Sequence, residues 1–234
     1  WGCFDYSQQE PRLVVHYASL DQDTSVFNVK DAYNAGDADF HTIVAKMADI
    51  PRTAAKTINL GLFYGMGKAK LQAELGVSKE KAEELFSIYH ERVPFVKSLT
   101  RSVSNRAQQR GQIRTLLGRL CRFHLWEPNS FGMHKALPFD QAVQEHGPGI
   151  KRAYTYKALN KLIQGSAADM TKKSMLELYK EGIVAHIQVH DELDISVEDD
   201  KKAKRIIEIM ESAVSLEIPN KVDYEKGANW GEIK

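Results

Sequence analysis

Cysteine is scarce in this 234-residue sequence, which contains only Cys3 and Cys121. These two residues lie far apart in the chain and lack the spacing of metal ligands. The sequence therefore supports neither a disulfide framework nor a zinc site, and we expect two ordinary buried thiols. Apolar runs long enough to cross a bilayer and the basic-then-apolar pattern of a secretory signal are also absent. Both absences predict a soluble intracellular protein with no membrane partner.

An excess of charge of one sign is absent as well. The chain has 32 basic and 31 acidic residues and a formal charge of +1, so its overall charge does not indicate a polyanionic partner. One local cluster of charge does indicate a polyanionic partner, because the segment from Arg101 to Phe123 contains six arginines and no acidic residue. Such a local positive field is what contact with phosphates requires, although a solvated helix face has the same composition.

Hydrophobic periodicity predicts helices and strands without regular alternation, in a chain that is 43% hydrophobic and can bury a sizeable core. This arrangement favours the α+β class with a small antiparallel sheet. Residues 126–149 are rich in proline and glycine and are interpreted as an irregular insertion. Strands are predicted over residues 1–6, 183–189 and 193–197, with a hairpin over 112–123 that turns at Gly118. Helices are predicted over residues 7–20, 40–48, 52–64, 79–91, 95–110, 151–180 and 200–216.

Acidic residues stand at two junctions of the predicted elements. Asp5 ends the first strand and Glu10 follows in the next helix, while Asp191 and Glu192 lie at the tip of a hairpin. Mg²⁺ prefers oxygen ligands, and two ions bridged by carboxylates can stabilise an attacking and a leaving oxygen together. Each motif alone is equally compatible with a helix N-terminal acid or a solvated hairpin tip. The sequence does not show whether Asp5 and Asp191 are neighbours.

A third pattern lies on the predicted helix over residues 52–64. Arg52, Lys56, Leu60 and Tyr64 recur every four residues and therefore share one helical face. At about 1.5 Å per residue this face spans roughly 18 Å, which is comparable to a nucleotide from triphosphate to base. Cations at one end would hold phosphates, and apolar or aromatic side chains at the other would face sugar and base. An amphipathic helix with a solvated basic edge would show the same spacing.

Taken together and in this order, three motifs resemble motifs A, B and C of family A DNA polymerases, the group of bacterial DNA polymerase I and many phage replicases. They are DYSQQEPR at residues 5–12, RxxxKxxxLxxxYG at 52–65 and QVHDE at 188–192. The resemblance continues in TLLGR at 115–119, NKLIQGSAAD at 160–169 and GANW at 227–230. It implies template-directed DNA synthesis, in which a primer 3′-oxygen attacks the α-phosphate of an incoming nucleotide and pyrophosphate leaves.

The resemblance also implies a role for individual residues in the chemistry. Two Mg²⁺ ions are expected to be held by Asp5, Asp191 and the backbone carbonyl of Tyr6, and Glu192 is an acid beside the metals. Lys56 is a triphosphate ligand and a candidate proton donor to pyrophosphate. The implied catalytic set is Asp5, Asp191, Glu192 and Lys56.

Contacts with the substrates follow from the same resemblance. Glu10 resembles the side chain that blocks a ribose 2′-hydroxyl, and this hydroxyl is the only sugar difference between the two classes of nucleotide, so Glu10 would select DNA precursors. His41 resembles a histidine near the triphosphate, and Tyr64 a residue that closes on the nascent base pair. The implied nucleotide-binding positions are Gln8, Glu10, His41, Arg52, Lys56, Leu60 and Tyr64. The implied primer–template positions are Arg119, Asn160, Gln164 and His190.

The fold that the resemblance implies is an α+β polymerase palm with a small antiparallel sheet and an inserted, mostly helical fingers subdomain. The palm is expected over residues 1–24, which hold motif A, and over residues 126–234, which hold motif C at 190–192. The fingers are expected over residues 25–125, with the motif B helix at 52–65. The thumb and the proofreading exonuclease precede motif A in the family and are absent from this sequence.

The start of the sequence bears on the expected partners. Trp1 is not an initiator methionine and Asp5 already belongs to motif A, so we expect the chain to begin inside a longer protein. Primer–template DNA, dNTPs, and an upstream segment or separate chain carrying thumb and exonuclease are the expected partners. Without a thumb, the isolated chain should bind duplex weakly, since phosphate contacts supply most non-specific affinity. The expected location is the cytoplasm of a bacterium or of a virus-infected host.

Two departures from the commonest family pattern qualify the resemblance. Gln9 and Pro11 replace aliphatic residues, which is similar to the phage branch of the family. Leu60 stands where most members carry phenylalanine or tyrosine, which affects rate and analogue selection rather than reaction class.

Two alternatives stay open from the sequence. A single-subunit RNA polymerase shares the palm plan, but Glu10 and the acids of the His190-Asp191-Glu192 motif argue against it. A non-catalytic DNA-binding remnant of a polymerase would not need the two aspartates of motifs A and C together with the cations of motif B.

Overall fold

The computed structural model describes residues 1–36, 38–63, 68–130, 132 and 134–233, without the side chains of residues 62 and 68. The strands in these ranges are β1 (Gly2–Tyr6), β2 (Gln112–Arg114), β3 (Leu120–Arg122), β4 (Trp126–Pro128), β5 (Ile150–Arg152), β6 (Ile187–Val189), β7 (Glu192–Ile195) and β8 (Val222–Lys226). The α-helices are α1 (Gln9–Leu20), α2 (Phe27–Asn34), α3 (Phe40–Ala48), α4 (Arg52–Phe63), α5 (Lys68–Leu75), α6 (Lys79–Arg92), α7 (Pro94–Arg110), α8 (Phe139–His146), α9 (Ala158–Lys180) and α10 (Asp200–Ser212). Short 3₁₀ turns cover Thr24–Val26, Thr155–Lys157 and Trp230–Glu232.

The central sheet is antiparallel and has the strand order β6–β7–β1–β8. Side chains alternate between the two faces of a strand. Phe4 and Tyr6 of β1 lie on the core face, where the Tyr6 hydroxyl donates to the backbone carbonyl of Met210 on α10. Asp5 lies on the opposite face, at the end of the strand. One face of the sheet therefore packs into the core, while the other presents polar groups.

The long helix α9 packs against α1, α7 and α10. The hydroxyls of Tyr17 on α1 and Ser166 on α9 are hydrogen-bonded at 2.7 Å. Gln9 Nε2 donates to Thr171 Oγ1 at 3.3 Å. Leu13 of α1 is fully buried and contributes about 2 kcal/mol of hydrophobic stabilisation. These contacts hold the helix that follows Asp5 in a fixed position beside α9.

Helices α2 to α7 form the mostly helical part of the molecule, in which α4 packs against α3 and α5. Pro51 precedes α4, where its fixed φ angle and missing N–H favour a helix start. Ala55 and Ile58 are fully buried, whereas Arg52 and Lys56 are exposed, so α4 is amphipathic as its spacing predicts. The face with the two cations is the face that also carries Leu60.

The predicted helix over residues 151–180 begins too early. Ile150–Arg152 instead forms β5, which pairs with Trp126–Pro128, and α9 starts at Ala158. Arg152 explains this pairing, because its guanidinium stacks on the Trp126 ring at 4.5 Å and donates to the Phe123 carbonyl at 2.9 Å. The insertion over residues 126–149 is likewise more regular than predicted, since it contains β4 and α8.

The other predicted elements are found with shifted ends. The helix over residues 40–48 and the hairpin that turns at Gly118 are confirmed, and Gly118 has a positive φ of 85°. The strand predicted over 183–189 is restricted to Ile187–Val189. Cys3 is buried, Cys121 is partly buried, and both are free thiols. Within the described residues, no helix has the length and apolar character that crossing a membrane requires.

Candidate active site

The structure brings Asp5 and Asp191 together. Asp5 lies near the end of β1, and Asp191 lies in the two-residue turn between β6 and β7. Because β1 and β7 are paired, with Asp5 opposite Glu192, the turn lies beside the strand end. The two aspartate carboxyl groups lie within hydrogen-bonding reach of each other, and the backbone N–H of Tyr6 donates to the Asp191 carbonyl at 3.4 Å. The sequence alone could not show that Asp5 and Asp191 are neighbours.

The electrostatics of this pair are unfavourable for two ionised carboxylates. Burial, together with the negative charges of Asp191, Glu192 and Asp223, raises the pKa of Asp5 to about 6. Burial also raises the pKa of Asp191, and Glu192 acts in the same direction. A divalent cation would relieve this repulsion, and carboxylate oxygens are the ligands that Mg²⁺ prefers. The donor set therefore fits a hard divalent cation.

A second group of possible metal ligands lies on the same face of the sheet. The donor atoms of Cys3, Glu192 and Asp194 all lie within 4.8 Å of one another. Burial, and next the interaction with the Glu192 carboxylate, raise the pKa of the Cys3 thiol to about 12. Since the thiolate rather than the thiol binds metals, this group suits a cation less well than the aspartate pair does.

The turn that carries Asp191 has a strained residue. His190 has a positive φ of 54°, a value that non-glycine residues adopt uncommonly and that tight hairpin turns require. The Gln188 side-chain amide donates to the His190 carbonyl at 3.0 Å and so supports the turn. The strain is consistent with a functional position, because such backbone conformations cluster at active sites.

A cavity of about 630 Å³ adjoins the aspartate pair. Its walls come from parts of the chain that are distant in sequence, namely β1–α1, α3, α4, α9 and the β6–β7 turn. Residues from all three sequence motifs therefore meet around one space. The lining residues are Gln8, Gln9, Glu10, Pro11, His41, Leu60, Gln164, Ala167, Ala168, His190 and Asp191.

Gln8 lines this cavity and also forms hydrogen bonds with the backbone at the start of α3. Its Oε1 accepts hydrogen bonds from the Tyr33 hydroxyl at 3.1 Å and from the Phe40 backbone N–H at 2.8 Å. Its Nε2 donates to the Ala38 carbonyl at 3.0 Å. The amide is thus engaged in fixing the backbone next to His41. A contact of Gln8 with a nucleotide stays a prediction.

The cations of α4 lie at the His41 end of the cavity wall. Arg52 Nε donates to Asp39 Oδ2 at 2.8 Å and to Thr42 Oγ1 at 3.1 Å. Asp39 also caps α3, since its Oδ1 accepts from the His41 backbone N–H at 2.9 Å. Lys56 is exposed one turn after Arg52 on the same helical face. Tyr64, which was predicted to close on the base pair, lies outside the described residues.

The predicted primer–template residues occupy α9 and the hairpin that packs on it. Gln164 lines the cavity, and Asn160 lies one turn earlier on α9. Arg119 Nε donates to Asp169 Oδ1 at 3.0 Å, and Arg119 Nη2 donates to the Gly165 carbonyl at 2.7 Å. Arg119 therefore fastens the β2–β3 hairpin to α9. Its contact with DNA stays a prediction.

Three residues of the site were missed by sequence reasoning. Asp223 lies opposite Asp5 in the sheet and adds negative charge beside it. Asn59 and Tyr89 are fully buried and form hydrogen bonds behind His41. The pairing of β1 with β8 leaves no local signal in the sequence. The Asn59 position had only the weak signal of a polar residue on the buried face of an amphipathic helix.

Comparisons with known proteins agree with the resemblance seen in the sequence. A model of the family described as DNA polymerase family A matches residues 2–232. A DNA-directed DNA polymerase of Pseudomonas phage M6 is 35% identical over 99% of this chain and 38% of that protein. DNA polymerase I of Bacillus caldotenax is 32% identical over 98% of this chain and 26% of that protein. The chain thus spans well under half the length of these curated relatives.

A solved structure is similar over the same extent. The POL domain of Pol1 from M. smegmatis, in complex with DNA primer-template and dNTP, has a TM-score of 0.76 and 28% sequence identity to this chain. The match covers 99% of this chain and 40% of that one. The predicted combination of helices with small antiparallel sheets is confirmed by this similarity.

Proposed function

The chain belongs to DNA polymerase family A, and we propose that it carries the nucleotidyl-transfer site of a template-directed DNA polymerase. The reaction adds a deoxynucleotide to a primer 3′ end and releases pyrophosphate. The observation that supports this most strongly is the adjacency of Asp5 and Asp191 beside a cavity lined by residues of all three motifs. The proposed palm comprises residues 1–24 and 126–234, and the proposed fingers residues 25–125.

The metal-binding part of the proposal rests on the aspartate pair. Asp5, Asp191 and the backbone carbonyl of Tyr6 would hold two Mg²⁺ ions. When bound, these ions would stabilise negative charge on the attacking and leaving oxygens. The chain's own contribution is to fix the ligands: Tyr6 is anchored in the core by its hydroxyl, which is hydrogen-bonded to Ser174 and Met210. A fixed strand end keeps the Asp5 carboxylate in place beside the β6–β7 turn.

The nucleotide-binding part rests on the face of α4 and its neighbours. Arg52 and Lys56 would bind the triphosphate, with Arg52 exchanging its ion pair with Asp39 for the phosphates. Leu60 lies two turns beyond Arg52 and lines the cavity, where it would face the sugar. Positioning and charge neutralisation are the main catalytic contributions expected of such a site.

A primer-extension assay tests the proposed function. The natural full-length protein should extend a primer by the nucleotides that the template specifies, and it should stop where the required dNTP is omitted. Chelation of divalent cations should abolish extension, and added Mg²⁺ should restore it. Extension that ignores the template sequence, or that proceeds in the presence of excess chelator, would contradict the proposal.

Ribonucleotide exclusion is expected to depend on Glu10. Glu10 and Leu60 both line the cavity, so Glu10→Ala would open space where a 2′-hydroxyl could fit. We expect the ratio of ribonucleotide to deoxyribonucleotide incorporation to rise by about tenfold or more. Glu10→Gln is the matched control, because it removes the charge but keeps the volume, and it should retain most of the exclusion. An unchanged ratio in Glu10→Ala would assign the discrimination to another residue.

A basic and aromatic surface extends the cavity along α9. Lys157, Lys161 and Gln164 are separated by four and three residues and therefore lie on one side of α9 and its first turn. The two lysines line a second cavity of about 250 Å³. Lys157 Nζ lies 5.3 Å from the centroid of the Tyr154 ring, and Lys161 Nζ lies 5.6 Å from that of Phe123. Cations next to aromatic rings are typical of surfaces that follow a nucleic-acid strand.

We expect the primer–template to continue over this surface. At about 1.5 Å per residue, Lys157 lies roughly 10 Å from Gln164 along the helix, a distance that about three nucleotides of one strand would span. The remaining residues that line this cavity include further basic and aromatic groups. They are Arg122, Phe123, His124, Leu125, Ala153 and Tyr154.

Loss of the two lysines should weaken binding of DNA and reduce its salt dependence. In Lys157→Gln/Lys161→Gln, two phosphate contacts would be lost. The negative slope of log affinity against log salt should therefore become shallower by about two. Fluorescence anisotropy of a labelled primer–template at several salt concentrations measures this slope. Lys201→Gln/Lys204→Gln on α10 is the matched control and should keep the slope. Equal slopes for both double variants and the wild type would exclude this path for the DNA.

A further inference from the structure

Three polar side chains form a buried chain of hydrogen bonds that ends at the cavity. Tyr89 and Asn59 are fully buried, and His41, which lines the cavity, is only 8% exposed. The Tyr89 hydroxyl donates to Asn59 Oδ1, and the Asn59 amide nitrogen lies 3.0 Å from His41 Nδ1. These hydrogen bonds therefore connect α6 to α4 and α4 to α3. Buried polar groups of this kind are costly unless they are hydrogen-bonded, so the geometry of each donor and acceptor matters.

The donor and acceptor properties of these groups determine the protonation of His41. The Asn59 oxygen is used as the acceptor for the Tyr89 hydroxyl, which turns the amide NH₂ toward the histidine. An amide NH₂ can only donate, so His41 Nδ1 must accept. In a neutral imidazole one nitrogen accepts and the other carries the hydrogen. The hydrogen of His41 is then on Nε2.

We propose that Asn59 and Tyr89 are positioning residues that hold His41 in its neutral Nε2–H tautomer, so that the ring presents an N–H donor to a phosphate oxygen of the incoming nucleotide. This inference rests on the proposed function, which places His41 near the triphosphate. Nδ1 is occupied on the buried side of the ring, and Nε2 is the polar ring atom left for the cavity. The opposite tautomer would present a lone pair to the phosphate and repel it.

The same arrangement disfavours the doubly protonated ring. A proton on Nδ1 would point at the Asn59 NH₂, so two donors would face each other without an acceptor. The pKa of His41 is lowered in agreement with this, by burial first and by the charges of Arg52 and Lys56, while Asp39 opposes the shift. His41 would thus act as a neutral donor at neutral pH and leave charge neutralisation to Arg52 and Lys56.

Nitrogen-15 NMR of the histidine ring tests the tautomer directly, in the protein without nucleotide. His41 should be neutral at pH 7 and carry its hydrogen on Nε2. In Asn59→Asp a carboxylate replaces the donor, so Nδ1 should become protonated, and the titration midpoint of His41 should rise by about one pH unit or more. In Tyr89→Phe the amide loses the partner that orients it, and we expect a mixture of the two tautomers.

Tyr33→Phe is the matched control for Tyr89→Phe. Tyr33 is also buried and donates to a side-chain amide next to the cavity, but its partner is Gln8 rather than Asn59. The control should leave the His41 tautomer unchanged. A hydrogen on Nδ1 in the wild type, or the same His41 spectrum in the wild type, Asn59→Asp and Tyr89→Phe, would overturn the proposal.

Kinetics separate this inference from the proposed function. A contact that is present in both the bound nucleotide and the transition state affects KM more than kcat. We therefore expect Tyr89→Phe to raise KM for dNTP by about threefold to tenfold, with kcat changed less, and Asn59→Asp to add a new pH dependence. If the NMR spectra change as expected while KM stays constant in both variants, His41 does not donate to the nucleotide. If the wild type has no polymerase activity at all, the proposed function is wrong, whereas the NMR assignment of the His41 tautomer remains valid.

Discussion

Replacing Asp5 or Asp191 by asparagine is expected to lower the rate of primer extension by about 10³-fold or more. Asparagine keeps the size of the side chain but loses the charge that would hold a divalent cation. A metal ion stabilises the transition state by several kcal/mol, and each 1.36 kcal/mol corresponds to about tenfold in rate. Single-turnover extension with the natural full-length protein, at saturating dNTP and Mg²⁺, measures the effect. Near-normal extension by either variant would refute the assignment of these residues.

Thermal unfolding provides a readout that does not depend on activity. In the presence of chelator, Asp5→Asn should melt at a higher temperature than the wild type, because it removes the burial cost and the repulsion that together raise the pKa of Asp5. Mg²⁺ should stabilise the wild type and have little effect on Asp5→Asn. Asp223→Asn is the matched control, since Asp223 also repels Asp5 but is not a proposed ligand. It should melt at a higher temperature as well, yet keep its response to Mg²⁺ and most of its activity.

The sequence predicted the local parts of the site but not their assembly. The spacing of Arg52, Lys56 and Leu60 was sufficient to place them on one face of α4, because helical periodicity is a local property. The adjacency of Asp5 and Asp191 depends on the pairing of β1 with β7, which are almost a whole chain apart in sequence. Only the family resemblance gave a reason to expect it.

The errors in the predicted fold have the same physical origin. Residues 151–157 were assigned to a helix because their local pattern allows one, yet β5 is stabilised by Arg152 stacking on Trp126. Arg119 likewise donates to Asp169, which lies far along the chain, a contact that the local pattern does not indicate, while its contact with DNA stays a prediction. In both cases an arginine makes a long-range contact that no local pattern encodes.

Leu60→Tyr is expected to lower discrimination against dideoxynucleotides by about 10- to 100-fold. Leu60 is half-buried and lines the same cavity as Glu10 and Gln164, where it would face the sugar of the incoming nucleotide. Leucine has no polar group that could replace the hydrogen bonds of a missing 3′-hydroxyl, whereas a tyrosine hydroxyl could supply one. A hydrogen bond to a charged group such as a phosphate contributes about 1.5–3 kcal/mol, which corresponds to this range of ratios. Competition between dideoxy- and deoxynucleotides on one template measures the discrimination.

Leu60→Phe separates the hydroxyl from the ring. Phenylalanine has the ring of tyrosine without its polar group, so it should change the rate of incorporation more than the selection between sugars. If Leu60→Phe lowers the discrimination as much as Leu60→Tyr does, the ring fills space around the sugar and the hydroxyl is irrelevant. If all three proteins discriminate equally, Leu60 packs within α4 and its neighbours, and the sugar lies elsewhere in the cavity. The tyrosine variant alone should differ, because only its side chain both reaches the sugar and donates a hydrogen bond.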